Sequence, residues 1–251
     1  MSILENPGAA MIIIGDEILS GRTQDTNLNY LARFLGTLGI DLKEARVVPD
    51  VEPKIVEAVN TLRAIYDHVF TTGGIGPTHD DITADAIARA FNVSIDYDPE
   101  ALALMEPRYK PGEFNKSRRR MARIPKGATL IKNSVSAAPG FQIENVFVMA
   151  GVPMIMRAML EDVAPRLKRG TQVHTCTITA QIAEGRIAAA LGAIQTAHPT
   201  VAIGSYPFFH EGGAGVQLVT RGREASEVTA AADSIEKALK AEGTAPEREN
   251  G

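Results

Sequence analysis

The sequence predicts an α/β fold, a doubly wound and mostly parallel sheet followed by a small C-terminal α+β domain of βαββα order. Two observations carry this. Up to about residue 167, short continuous apolar runs alternate with helical stripes of three- and four-residue spacing, as expected of strands buried on both faces and joined by crossover helices. Past residue 171 the apolar residues alternate strictly with polar ones, the mark of a sheet with a single covered face. These changes set domain boundaries at 8–170 and 171–241, and leave 242–251 as a polar tail with Gly and Pro that is expected to be disordered.

The first run, Ala9 to Ile14, stops at Gly15 and reads as a central parallel strand. No Lys or Arg precedes it, and it is too short for a signal segment or a membrane span. Leu28, Leu31, Leu35 and Leu38 give one apolar helix face ending near Gly39. Ile40 to Val48 suits a second strand, and Pro53 opens a helix with Ile55, Val59 and Leu62 on one face. His68 to Thr72 is a third strand, broken by Gly73-Gly74-Ile75-Gly76-Pro77, after which a helical stripe resumes near Asp81 with Ile82, Ala86, Ile87 and Ala90. The stretch from Pro107 to Pro125 is irregular and holds the run Arg118-Arg119-Arg120; Val146 to Met149 is a further buried strand, and a helix from Pro153 to about Leu167 closes the unit. In the small domain, Cys176, Ile178, Ala180 and Ile182 mark a strand; a helix over 184–196, strands over 201–206 and 216–220, and a helix carrying Val228, Ala232, Ile235 and Leu239 complete it.

A chain of 251 residues with 45% hydrophobic residues buries roughly 70–75% of its unfolded surface, so no disulfide or metal staple is needed. Its one cysteine, Cys176, excludes an intramolecular disulfide and multi-cysteine zinc sites, and a cytoplasmic setting is the expectation. The balance of 26 Lys+Arg against 30 Asp+Glu argues against a broad nucleic-acid surface. Gly185-Arg186 does not supply the Gly-x-x-Gly loop of a KH-type RNA module.

Three loops follow parallel strands: Gly15 to Gly21, Thr71 to Thr83, and Gly151-Val152-Pro153. Ligands of open α/β sheets bind at such strand ends, near the point where strand order reverses. Gly73, Gly74 and Gly76 let backbone N–H groups approach phosphate oxygens, the following helix points its positive end there, and Thr72 and Thr78 add hydroxyl donors. Asp16, Glu17, Asp80, Asp81 and Asp85 lie on or beside the same loops, where carboxylates repel a phosphate unless a cation stands between them. A metal-assisted phosphoanhydride site follows. The plainer readings stay open: Asp80 or Asp81 equally suits a helix cap, glycines after a strand are common turn chemistry, His79 suits solvent, Cys176 suits core, and the arginine run suits a solvated helix face.

The full string Thr71-Thr72-Gly73-Gly74-Ile75-Gly76-Pro77-Thr78-His79-Asp80-Asp81-Ile82-Thr83 closely resembles the signature of the molybdopterin-binding (MoCF biosynthesis) domain, in the form found at the N-terminus of the competence/damage-inducible protein A (CinA) family. Gly15 to Gly21 with Asp25-Thr26-Asn27, and Ala138-Pro139-Gly140-Phe141, resemble two further motifs in the right order. The resemblance spans roughly residues 8 to 170, and the small domain resembles the one that follows it in that family. It implies a strand-end cleft for a pterin or an adenine-nucleotide pyrophosphate, with a divalent cation (Mg²⁺, Mn²⁺ or Co²⁺). CinA-type members are linked to hydrolysis of ADP-ribose and related pyrophosphates, and the similar domain of eukaryotic FAD synthases to FAD hydrolysis. Carried over residue by residue, the resemblance implies Asp81, Asp80 and Glu17 as catalytic acids and Asp81, Asp80 and Asp85 as metal ligands. It implies Gly15, Thr72, Gly73, Gly74, Gly76, Pro77, Thr78, Thr83, Gly151 and Pro153 as contacts of the substrate or its phosphates.

The chain departs from the family pattern in two places. Arg120-Met121 stand where many CinA domains carry Lys-Gln, and Met154-Ile155 follow Gly151-Val152-Pro153 without the acid often found there. The resemblance also implies a homo-oligomer; the sequence stops ahead of the C-terminal amidase domain of full-length CinA, so nicotinamide-nucleotide deamidation is expected to be absent. The rival expectation is a molybdopterin-binding or molybdenum-cofactor biosynthesis protein that hydrolyses nothing.

Overall fold

The apolar run near the N-terminus forms β1 (Gly8–Ile14), whose residues Ala9 to Ile14 are all 4% exposed or less. The computed structural model describes residues 6–210 and 213–250 and divides the chain into two units, Met1–Gly170 and Thr171–Gly251. In the first unit β1 is followed by the short α1 (Asp16–Leu19), then α2 (Asn27–Thr37), β2 (Asp41–Val48), α3 (Glu52–Arg63), β3 (His68–Thr72) and α4 (Thr83–Ala90). An excursion follows, made of β4 (Ile95–Tyr97), α5 (Pro99–Met105), α6 (Lys116–Arg120) and β5 (Arg123–Pro125). Then come β6 (Thr129–Ile131), β7 (Gly140–Ile143), β8 (Val146–Met149) and α7 (Pro153–Val163).

The main sheet has the order β2-β1-β3-β8-β7-β6. β2, β1, β3 and β8 run parallel, while β6, β7 and β8 are joined by antiparallel pairs. The mostly parallel sheet is thus present, with an antiparallel hairpin at one edge that apolar periodicity does not reveal, because its strands span only three and four residues. One face packs Ile55, Val59, Leu62 and Ile87 of α3 and α4 against Val69 and Val148; the other packs Leu31, Leu35, Met156 and Leu160 of α2 and α7 against Phe70 and Phe147. The two phenyl rings stack across adjacent strands at 5.2 Å between centroids. The irregular stretch is held by local caps: Asp98 Oδ1 accepts from Ala101 N at 2.8 Å to start α5, and Asn115 Oδ1 accepts from Arg118 N at 3.0 Å to start α6.

The second unit is β9 (His174–Ala180), α8 (Glu184–Ala197), β10 (Ala202–His210), β11 (Gly213–Gly222), α9 (Ala225–Ala241) and β12 (Glu247–Asn250). Its antiparallel sheet has the order β10-β11-β9-β12, with Ile178, Leu218, Ile187, Ile235 and Leu239 in the core between sheet and helices. Here the structure corrects the expectation of a disordered tail over 242–251. Residues 247–250 pair with β9 and satisfy backbone groups that an open sheet edge would leave unpaired, while Arg248 pairs with Asp233 at 2.6 Å. Residue 251 lies outside the described residues. Among the described residues no helix is long and apolar enough to cross a membrane.

Candidate functional site

Strand order reverses at β1, which has β2 on one side and β3 on the other, so the loops after β1 and β3 flank the switch point. The turn after β3 requires glycine. Gly73 has φ +105° and Gly74 φ +65°; a Cβ on Gly73 would overlap the Ile14 carbonyl oxygen at the end of β1, and one on Gly74 would overlap the Thr83 hydroxyl. Gly151 closes the third side, since a Cβ there would stand 3.3 Å from Gly73 Cα. The ends of β1, β3 and β8 therefore meet, and the three loops gather at one end of the sheet.

Thr83 is fully buried, donating its hydroxyl to Gly73 O at 3.0 Å and its N–H to Gly74 O at 3.0 Å. This corrects its expected role as a phosphate contact: its polar groups are used in fixing the loop to α4. Neither Asp80 nor Asp81 caps that helix, which begins at Thr83 rather than near Asp81 and has Ile82 at its N-cap position. Asp81 instead staples the loop. Its Oδ1 accepts from Gly76 N at 2.7 Å, and its Oδ2 accepts from Thr78 N at 2.8 Å and from the Thr78 hydroxyl. The loop thus already cradles an anion, its own carboxylate. Three donors occupy three of about four lone-pair directions and leave one. Pro77, Thr78, His79 and Asp80 are exposed, and the His79 ring lies 3.9 Å from the Asp80 carboxylate with its side chain 99% exposed.

Beyond the loop, Glu17 folds back over Gly15, where an added Cβ would stand 2.5 Å from Glu17 Oε2. Asp50, just past the end of β2, accepts from Asp16 N at 3.0 Å. Burial pushes the Asp50 carboxyl above the usual aspartate range against the lowering effect of that hydrogen bond, and the charges of Asp16, Glu17 and Asp80 push the same way as burial. Sequence reading missed Asp50. Its signal was the break Pro49-Asp50 after a parallel strand, a fourth strand-end loop beside the other three. Among the described residues no group of three or more His, Cys, Asp or Glu stands at metal-binding spacing. The acids lie within Coulombic reach of one another without forming a closed cage.

Asp85 belongs elsewhere. It takes a bidentate pair from Arg123, Nη1 at 2.8 Å and Nη2 at 2.6 Å, with Arg120 Nη2 at 3.7 Å. This corrects the expectation that Asp85 is a metal ligand, because two guanidinium groups already neutralise it and repel a further cation. Of the arginine run, Arg120 is the member that reaches the glycine loop, donating to Asp81 O at 3.1 Å. Arg118 and Arg119 lie over Tyr109 and Phe114. Pro139 and Phe141 from the third motif line the same recess as Asp81, Asp85 and Arg120.

A second recess of about 90 Å³ lies on the α2 side of the strand ends, lined by Glu17, Asn27, Thr72, Gly151 and Pro153 among others. Thr72, expected as a phosphate contact, faces this recess rather than the glycine loop. Pro153 is the first residue of α7, and Asn27 the first of α2.

The family model described as "Probable molybdopterin binding domain" matches residues 10–169. The chain belongs to this molybdopterin-binding-domain family. A second model, "FAD synthase, middle domain", matches residues 172–248, most of the second unit. An Archaeoglobus fulgidus protein is 36% identical over 197 residues, covering 78% of this chain and 84% of its own length. A CinA-like protein of Citrifermentans bemidjiense is 39% identical over 201 residues, or 76% of this chain; the chain spans 49% of that relative. The crystal structure of CinA from Thermoplasma acidophilum, described as of unknown function, matches with TM-score 0.61 at 32% identity, over 64% of this chain and 98% of that one. This family member thus joins the molybdopterin-binding-domain fold to a FAD-synthase-like second unit.

Proposed function

We propose that the chain hydrolyses a nucleotide pyrophosphate of the ADP-ribose or FAD kind at the strand-end cleft, with a divalent cation. The observation that carries this reading is the loop of 73–81, an anion cradle set directly beside the acids Asp16, Glu17 and Asp50 at the switch point. The FAD-synthase-like match of residues 172–248 and the CinA-like relatives support a nucleotide as ligand.

The N–H groups of Gly76 and Thr78, here held by the Asp81 carboxylate, suit a phosphate oxygen once Asp81 turns to a cation. The hard oxygen donors of Asp81, Asp80 and Glu17 fit Mg²⁺, Mn²⁺ or Co²⁺ held together with diphosphate oxygens. Such an ion, when bound, supplies charge neutralisation at phosphorus. Asp50, raised above the usual aspartate range, accepts a proton from water more readily than an ordinary aspartate.

Incubation of the protein with ADP-ribose, FAD and NAD across Mg²⁺, Mn²⁺ and Co²⁺ tests the reading. AMP is expected from at least one pairing, and Asp81→Asn is expected to lower its rate at least about 100-fold. Absence of AMP from every pairing overturns the hydrolase. Retained molybdopterin, seen as fluorescence of its oxidised form, would then favour a binding protein, the role named in the family description.

A further inference from the structure

Among the described residues, three buried side-chain oxygens lack a hydrogen-bond partner: Asn27 Oδ1, Thr72 Oγ1 and Thr71 Oγ1. Thr71 points to the opposite face of β3, as alternation along a strand requires. Asn27 and Thr72 line the same recess and are 3% and 1% exposed. The Asn27 amide is oriented by its other end, with Nδ2 donating to Gly151 O at 2.7 Å, so Oδ1 is left as the acceptor. Buried polar atoms are ordinarily paired, and two orphans in one recess mark where a ligand's polar atoms go.

The chemistry of that ligand follows from the wall. None of the lining residues is Lys, Arg or His, while Glu17 and Asp25 bring carboxylates. The start of α2 is already served by an anion, since Asp25 Oδ1 accepts from Leu28 N at 2.9 Å. With two carboxylates and no cationic side chain in the wall, a phosphate is disfavoured there. The recess instead offers acceptors, Asn27 Oδ1 and Glu17, and a hydroxyl that both donates and accepts, against apolar walls of Ile13, Ile14 and Ile18. The recess, about 90 Å³ in volume, has room for the hydroxylated edge of a five-membered sugar.

From these observations we infer that the Asn27–Thr72 recess is a sugar-hydroxyl subsite, holding the ribose of the nucleotide while the diphosphate lies on the glycine loop. This rests on the proposed nucleotide reading and gives Thr72 a role in sugar recognition in place of phosphate contact. Vicinal hydroxyls would donate to Asn27 Oδ1 and Glu17 and share a hydrogen bond with Thr72.

Calorimetric titration with AMP, 2′-deoxy-AMP, 3′-deoxy-AMP and pyrophosphate tests it on the full chain and on Thr72→Val and Thr72→Ser. The wild type is expected to bind AMP about tenfold or more tightly than at least one deoxy form. Thr72→Val should lose that discrimination while binding pyrophosphate like the wild type, and Thr72→Ser should keep it. Because the hydroxyl has no partner in the protein, the melting temperature of Thr72→Val should not fall. The inference is overturned if Thr72→Val binds AMP like the wild type, if AMP and both deoxy forms bind alike, or if Mn²⁺ alone binds here and is lost in Thr72→Val. Should neither AMP nor pyrophosphate bind the wild type, the nucleotide reading itself fails; should both bind without sugar discrimination, only the subsite fails.

Discussion

Asp50 shows how a single residue can be held in an environment that suits chemistry better than folding. It is partly buried near Asp16, Glu17 and Asp80, and its carboxyl is raised above the usual aspartate range chiefly by burial. For an acid whose folded pKa exceeds its unfolded pKa, the folded state is favoured at low pH, and that advantage is lost as pH rises through the folded pKa. Wherever Asp50 is ionised, its charge therefore costs stability. Asp50→Asn removes the charge and keeps an oxygen for Asp16 N. This variant is expected to melt higher than the wild type at pH 7, while pyrophosphate hydrolysis falls about 100-fold or more. The wild-type rate should also decline toward acid at a pH above the ordinary aspartate range, a limb absent from the residual activity of Asp50→Asn. A lower melting temperature for Asp50→Asn would show that the carboxylate is stabilising and sink the assignment.

At the scale of elements, the loop of 71–83 was legible because its chemistry is local: glycines, a threonine and an aspartate within one short string build the cradle between them. The pairing of Asp85 with Arg123 was not, since its partners are separated by 38 residues and meet only when the β4–β5 excursion folds back on α4. β12 shows the same limit. Four polar residues, Glu247 to Asn250, carry no apolar alternation, yet the exposed edge of β9 selects them. Arg248 fastens the strand with Nη1 to Asp233 at 2.6 Å and Glu236 at 3.3 Å, and with Nε 3.1 Å from Cys176 Sγ. Cys176 is 2% exposed beneath it. Arg248→Ala is expected to release β12 and speed modification of Cys176 by a thiol reagent at least severalfold, with Cys176→Ser as the unreactive control. Equal rates in wild type and Arg248→Ala would mean that the strand is held without this side chain.

Across the whole molecule, the alternation of apolar runs with helical stripes made the parallel centre of the sheet readable, because strands buried on both faces must be apolar throughout. What no local pattern supplies is the strand order, and the order is what brings Gly15, Asn27, Asp50, Thr72 and Gly151 to one end of the sheet. The opposite end of the sheet carries His68, at the start of β3. Its ring packs near Phe70 and Phe147, with centroids 6.4 and 6.0 Å away, and its Nε2 lies 3.2 Å from Lys168 O, so the neutral ring carries its proton on Nε2. Burial pushes the His68 pKa down, outweighing the raising effects of that hydrogen bond and of Asp67. The folded state therefore resists a proton that the unfolded chain accepts at about pH 6.5. The stabilisation is complete above that pH and is lost as pH falls from there toward the depressed folded value. Melting temperature is accordingly expected to drop between about pH 7.5 and 5.5, where ordinary carboxylates remain ionised. His68→Gln retains a donor for Lys168 O but does not titrate in this range, so it should flatten the drop. If His68→Gln reproduces the wild-type slope, the acid sensitivity of the fold arises elsewhere than at the base of β3.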